Sequence, residues 1–457
     1  MNGLQKLKKT LSSVDMTQGK PYKSLLLFTI PLLIGNIFQQ MYSIADGIIL
    51  GNVVGDDALA AVSSSTGVFF LVMVVMIGIS MGVGVIVAQY FGAKKREELS
   101  HTIGVAITIT AIIGVVMMLL APVVTRPVLQ LMRTPEDVLD YSVRYMMVLM
   151  LGVLGLAYFN ILSGILRGLG DTFSPLIYLG VASILNVVLN LIFIPSFGVM
   201  GAAMGTVLAQ ALTSILCLRR LMKMRHVFDM GFKYLVPKKV YVKQVLRLGL
   251  PTAASQAIFA IAMMVIQPLV NNFGATLLAA NLIIMRIDGI VMMPNFSFGN
   301  AMTVFAGQNV GAGKLDRLSL GVKQCMIMAT SIAAIIVTII LLFGHHIAGA
   351  FTDTQEVIDL SMRMLRILAI GYVIFAANMV FWGVIRGAGD AVTPLWCSVI
   401  NTVFIRVPSA FLFVHFIGSP EALFFSLLMG WTTYAILGAL VFRFGRWRSK
   451  GLIKKDG

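Results

Sequence analysis

The chain has 457 residues, 58% of them hydrophobic and only 12% charged, whereas soluble domains run near 45–50% apolar and about 25% charged. So few charges cannot cover the three soluble domains that this length would suggest, at about 150 residues each, and the same figures exclude intrinsic disorder. A mean hydropathy of +0.92 and a net charge of +16 fit a polytopic membrane protein.

In chain order, residues 1–23 form a polar, basic N-tail with no cleavable signal peptide expected. Apolar stretches follow near 24–50, 58–91, 101–122, 138–166, 173–195 and 199–222. A bilayer core of about 30 Å needs about 20 such residues per helix. A basic segment at 223–243 reads as a cytoplasmic linker. Six further stretches lie near 244–271, 277–309, 321–344, 357–385, 392–416 and 421–442, and 443–457 form a C-tail. The expected fold is therefore all-α, with twelve transmembrane helices in an N-lobe (24–222) and a C-lobe (244–442). With the N-terminus inside, 28 of the Lys and Arg residues fall in or beside inside segments and two (Arg126, Arg133) outside. That bias places both termini in the cytoplasm of a multi-pass protein of the cytoplasmic membrane. The positive charge is thus topological, and nucleic-acid binding is not expected. The three cysteines (Cys217, Cys325, Cys397) have neither disulfide-framework nor zinc spacing.

The chain is written twice. GILRGLGDTFSPL from Gly164 matches GVIRGAGDAVTPL from Gly383, 219 residues on. The same offset joins EDVLDYSVR to QEVIDLSMR, AQYFGAKKREEL to GQNVGAGKLDRL, and GDDALAA to GATLLAA. Six helices per repeat start both halves on the same side, so a pseudo-two-fold along the membrane normal is expected. Duplicated bundles point to alternating access, with a substrate between the halves. No GxxxxGK[ST] loop, HExxH motif or paired catalytic carboxylates occur, so neither ATP-driven pumping nor an enzyme is indicated.

The duplicated plan, the stretch IPLLIGNIFQQMYSIADGIILGNVVGDDALAAV, the GQ…GAG run and both RGxGD turns resemble the multidrug and toxic compound extrusion (MATE) family. The resemblance covers nearly the whole chain. It implies an antiporter that exports organic, often cationic, drug-like compounds as H⁺ or Na⁺ enters. No cofactor is implied beyond the transported ion. The partners would be a small organic substrate, that ion and membrane lipid, and a monomer is expected. A flippase of a lipid-linked precursor is the alternative, although such relatives usually carry two further helices.

Asp46, inside the first apolar stretch, is the leading ion-coupling residue, because a carboxylate costs about 2.5–3.5 kcal/mol at a helix centre and desolvation favours its neutral form. The family pattern adds Asn186, Asn190 and Thr206, whose oxygens could orient a carboxylate or hold Na⁺. Asn186 and Asn190 are four apart and so share a helix face. Asn190 departs from part of the family, where Asp often stands, which favours a proton switch on Asp46 alone. The position 219 beyond Asp46 is Val265, so the acid is not duplicated.

Substrate-wall candidates are Gln39, Met41 and Tyr42 in the first stretch and Met264 and Gln267 in the seventh. Arg286 and Asp288 follow in the eighth, two apart and so not facing each other. Arg406, in a polar, Pro-broken stretch, is a candidate partner for Asp288. Asp140/Arg144 and Asp359/Arg363 read as i,i+4 staples, and the RGxGD runs as structural turns with Asp171 and Asp390 capping the next helix. Pro31 lies along the same helix as Asp46 and could bend it. His345 and His346 lack further metal ligands nearby.

Overall fold

The computed structural model describes residues 14–54, 56–131, 134 and 136–453, apart from the side chains of 42, 43, 45–47, 51, 52, 56–61, 63, 64, 66, 68, 71 and 137. All regular structure among them is helical. In lipid this follows from backbone chemistry, since a helix satisfies every N–H and C=O internally. The helices are α1 (Pro21–Val54), α2 (Asp56–Gly92), α3 (Arg96–Leu131), α4 (Glu136–Leu151), α5 (Val153–Gly168), α6 (Phe173–Phe197) and α7 (Val199–Lys223). After the short α8 (Phe232–Leu235) come α9 (Lys239–Asn271), α10 (Gly274–Gly311), α11 (Leu315–Gly349) and α12 (Gln355–Gly387). The last are α13 (Val392–Val399), α14 (Val407–Ile417) and α15 (Glu421–Phe444). Eleven spans are long and apolar enough to cross a membrane, and the pair α4–α5, bent by 51°, makes a twelfth. The expected fourth span is thus broken at Gly152, where a Cβ would meet the Val207 side chain. The eleventh changes to π geometry at Ile400–Arg406, just ahead of Pro408.

Contacts divide the chain into two units, and the division does not follow 24–222 and 244–442. Unit 1 takes Val14, Asp15 and Ile30–Ala253; unit 2 takes Met16–Thr29 and everything from Ala254. The residues 223–253 therefore belong with unit 1. There Thr108 Oγ1 donates to the Leu235 carbonyl (2.7 Å). Arg96 donates to Asp229 and to the carbonyls of Arg225 and His226. The His101 ring stacks on Tyr241 (5.1 Å). In unit 2 the Met16–Gly19 segment is held by the residues of the GQ…GAG run. Met16 N–H donates to Gln308 Oε1 (2.9 Å), Asn309 and Lys314 donate to the Met16 and Thr17 carbonyls, and Arg317 reaches those of Met16, Gln18 and Gly19.

The duplication is visible in each unit as a seam of small residues. In unit 1, Ser80 and Gly84 of α2 face Gly164 and Gly168 of α5. A Cβ at Gly168 would stand 2.7 Å from the Gly84 carbonyl oxygen, and Ser80 Oγ donates to the Asn160 carbonyl (2.6 Å). In unit 2, each at an offset of 219, Gly299 and Thr303 of α10 face Gly383 and Gly387 of α12. Small residues let membrane helices approach backbone to backbone, where lipid gives no hydrophobic drive to associate.

Both RGxGD turns place a glycine at positive φ, Gly170 (+89°) and Gly389 (+95°). Asp171 accepts from the Ser174 amide and hydroxyl, and Asp390 does the same for Thr393. The two i,i+4 staples are not formed. Asp140 pairs with Arg126 (3.2 Å) across α3–α4. Asp359 instead lies 3.9 Å from His345, across α11–α12. Arg363 pairs with Glu421 (3.2 Å). Position 345 is 219 beyond 126, so the repeat conserves the cross-helix pair. A partner on the next helix is reached because these residues sit where two spans meet at a short connection, and the i,i+4 rule considers one helix only.

Candidate functional site

In unit 1, α6 and α7 bring the predicted oxygen set together. Asn186 and Asn190 are fully buried on one face of α6. Asn190 Nδ2 donates to Asn186 Oδ1 (2.9 Å), and Asn186 Nδ2 reaches Thr206 Oγ1 on α7 (3.4 Å). Gly205 makes the space: a Cβ there would land on Asn190 Oδ1. Buried amides in an apolar bundle require such partners. Asp46 and Tyr42 lie on α1, and their side chains fall outside the described residues.

Unit 1 also encloses a cavity of about 410 Å³ between α1, α2, α5, α6 and α7. Asn36 and Gln39 of α1, Asn160, Ser163 and Arg167 of α5 and Gln210 of α7 supply its main polar groups, and Phe69, Phe70, Met73 and Phe159 are among the apolar ones. Gln39 is therefore on a cavity wall. Met41 is 61% exposed and does not line it. The apolar wall with few polar groups is the composition of a small-molecule site.

In unit 2 the predicted residues disperse. Asp288 on α10 accepts from the Tyr372 hydroxyl of α12, and Tyr372 is buried against Trp431 (5.7 Å). Arg406 is not its partner. That guanidinium is buried over the Phe259 ring (5.2 Å), with Nη2 3.4 Å from Met263 Sδ and the α15 backbone of Gly430 packed on its stem. Arg406 is the last residue of the π turn at Ile400–Arg406. Gln267 is exposed and donates to Asn271 on its own helix (3.0 Å). Met264 is exposed, and Arg286 is exposed with no ion pair among the described residues. Tyr372 and Trp431 escaped the sequence reading because no motif or repeat links them to Asp288. Arg167 was absorbed into a turn motif, although its side chain lines the cavity. Among the described residues no group of three or more metal-type side chains assembles, at His345 or elsewhere.

Comparison with known proteins agrees with this architecture. The family described as MatE matches twice, over residues 31–192 and 251–412, one match per repeat. The chain is 29% identical to the "Probable multidrug resistance protein YoeA" of Bacillus subtilis, over 91% of this chain and 94% of that one. It is 26% identical to the "Probable multidrug resistance protein NorM" of Thermotoga maritima, with 95% of each covered. Among solved structures it is similar to one described as the "Outward-facing conformation of a multidrug resistance MATE family transporter of the MOP superfamily", at TM-score 0.88 and 26% identity, over 96% of this chain and 98% of that one. These relatives are transporters and not enzymes. With both halves matched and the helical plan shared throughout, this integral membrane protein belongs to the MatE family of transporters.

Proposed function

We propose that the chain exports organic, drug-like compounds from the cytoplasm in exchange for H⁺ or Na⁺, with both termini cytoplasmic, and that ion handling resides in unit 1. The observation that carries this is an asymmetry. The segment of α1 that bears Asp46 and the buried Asn186–Asn190–Thr206 set belong to the same unit. At an offset of 219, unit 2 has Val265, Ile405, Ser409 and Phe425 in their places. A carboxylate beside amide and hydroxyl oxygens in an apolar bundle can exchange charge for a proton or a hard cation. One positive charge entering yields about 2.3 kcal/mol per 100 mV toward export of a neutral compound, whereas one-for-one exchange with a monovalent cation moves no net charge and draws on the ion's concentration gradient. In this reading the neutralised acid changes the course of α1 near Pro31.

The test is efflux of a cationic dye from proteoliposomes under imposed proton or sodium gradients, with Asp46→Asn alongside. Wild type should export under at least one gradient and Asp46→Asn under none. Equal export by the variant in every condition overturns the coupling proposal. The flippase alternative draws little support, since Arg363 is paired with Glu421 and Arg406 is packed on Phe259 and Met263. A cluster of free arginines for a pyrophosphate is therefore not formed by these two.

A further inference from the structure

Among the described residues that line the unit 1 cavity, one carries a formal charge, and it is positive: Arg167 is the only ionisable acid or base of that set, which includes no carboxylate. Arg167 is half-buried at the end of α5 and has no hydrogen-bond or ion-pair partner among the described residues. The acid four residues on, Asp171, is committed elsewhere. It is fully buried, accepts from Arg220 Nε at 2.7 Å, and holds the Ser174 amide and hydroxyl. A half-buried guanidinium on an apolar wall, with no counter-charge among the described residues, is unfavourable unless something anionic visits it. A second polar group in the same wall also lacks a partner among the described residues: Gln210 Oε1 is buried, and as an acceptor it suits a donor group on the same compound rather than its anion. Along α5 the lining runs from Leu156 to Arg167, about 16 Å at 1.5 Å per residue, room for an elongated apolar body ahead of the charge.

We infer that Arg167 is a binding residue for an anionic group, a carboxylate or a similar oxyanion, on the transported compound. The class of substrate is an apolar or aromatic scaffold that bears such a group, zwitterions included, and not organic cations alone. This rests on the transport reading for its cargo and on the cavity geometry for its site. The planar fork of Arg suits a carboxylate in two-point contact, and such charge-assisted bonds are the strong ones.

Two rhodamines that differ only in a free carboxylate (rhodamine 110) or its methyl ester (rhodamine 123) test it, by fluorescence anisotropy with the purified full-length chain. Wild type should bind the carboxylate form more tightly. Arg167→Gln should weaken that form about tenfold or more while leaving the ester within about twofold, and Arg167→Lys should keep the preference. Equal losses for both dyes, or a preference that survives in Arg167→Gln, overturn the assignment. If Arg167→Gln does not fold, absence of any preference in wild type, or loss of it in Arg167→Lys together with the ester's binding, does the same.

A second readout needs no transport. In carboxylate-free, low-chloride Tris buffer, 1-naphthoate should raise the unfolding temperature of wild type more than 1-naphthalenemethanol does, and not that of Arg167→Gln. If chloride alone reproduces the Arg167-dependent rise and naphthoate adds nothing, the site takes an inorganic ion and the substrate assignment fails. Dye efflux that fails while the naphthoate effect holds would sink the exporter reading and leave the anion site standing.

Discussion

Single residues decide where charge and polarity can be tolerated in this bundle. Asn190 is the position at which the family pattern often has an acid, and it is fully buried beside Asn186. Asn190→Asp should place a carboxylate among amide oxygens with a hydroxyl nearby. We expect it to destabilise the chain in potassium medium by about 1–3 kcal/mol, and sodium to restore part of that loss. Unfolding temperatures in the two salts measure it, and identical values would remove the oxygen set as a cation site. Gly205→Ala should act on the same set by volume, because its Cβ meets Asn190 Oδ1. A loss of about 1–3 kcal/mol is expected, as for overpacking elsewhere. Asp288 and Arg406 stood out in the sequence because ionisable side chains in apolar runs are rare. Their partners did not. Tyr372 is 84 positions from Asp288, and nothing in either neighbourhood points to the other.

Whole helices are positioned by what their side chains leave out. Gly168→Ala would push a methyl to 2.7 Å from the Gly84 carbonyl oxygen and 2.8 Å from the branched Val87 side chain. It should lower stability by about 1–3 kcal/mol in thermal unfolding. Gly180→Ala in α6 meets nothing within 4 Å and should be neutral or stabilising by up to about 1 kcal/mol, from helix propensity. If the two behave alike, the seam is not what fixes α2 on α5. The cross-helix pair Arg126–Asp140 is more than half exposed on both sides, so Arg126→Ala should change stability by under about 1 kcal/mol. The seam could be read from the repeated glycines, whereas the bend at Gly152 and the π turn before Pro408 could not, since apolar periodicity continues through both.

On the scale of the molecule, the segments that precede α1 and α9 are structured parts of the two units. Asp229 is held below the usual carboxylate range by its hydrogen bonds with Arg96. A lowered folded-state value means that this contribution is complete above the ordinary Asp range. It is lost as pH falls through the folded-state value. Protection factors of the amides over 225–235, that is, exchange corrected for its intrinsic pH dependence, should therefore fall in acid relative to neutral pH, and Arg96→Gln should lower them at neutral pH as well. In unit 2, Arg317→Ala removes the fork on the Met16, Gln18 and Gly19 carbonyls. Exchange at 16–20 should then increase while the core of α10 and α12 stays protected. Unchanged exchange would show that Gln308, Asn309 and Lys314 suffice.

The sequence by itself determined the membrane class, the number and order of spans, the duplication and the family. Each of these is written in composition, in runs of apolar residues or in a constant offset, and lipid leaves the backbone no choice but helix. Only the tertiary structure decided which charges are paired. It moved Asp140 and Asp359 to partners on neighbouring helices, separated Arg406 from Asp288, and left Arg167 facing a cavity with Asp171 taken by Arg220. Pairing depends on which side chains converge across helices tens of residues apart, and no local spacing rule encodes that.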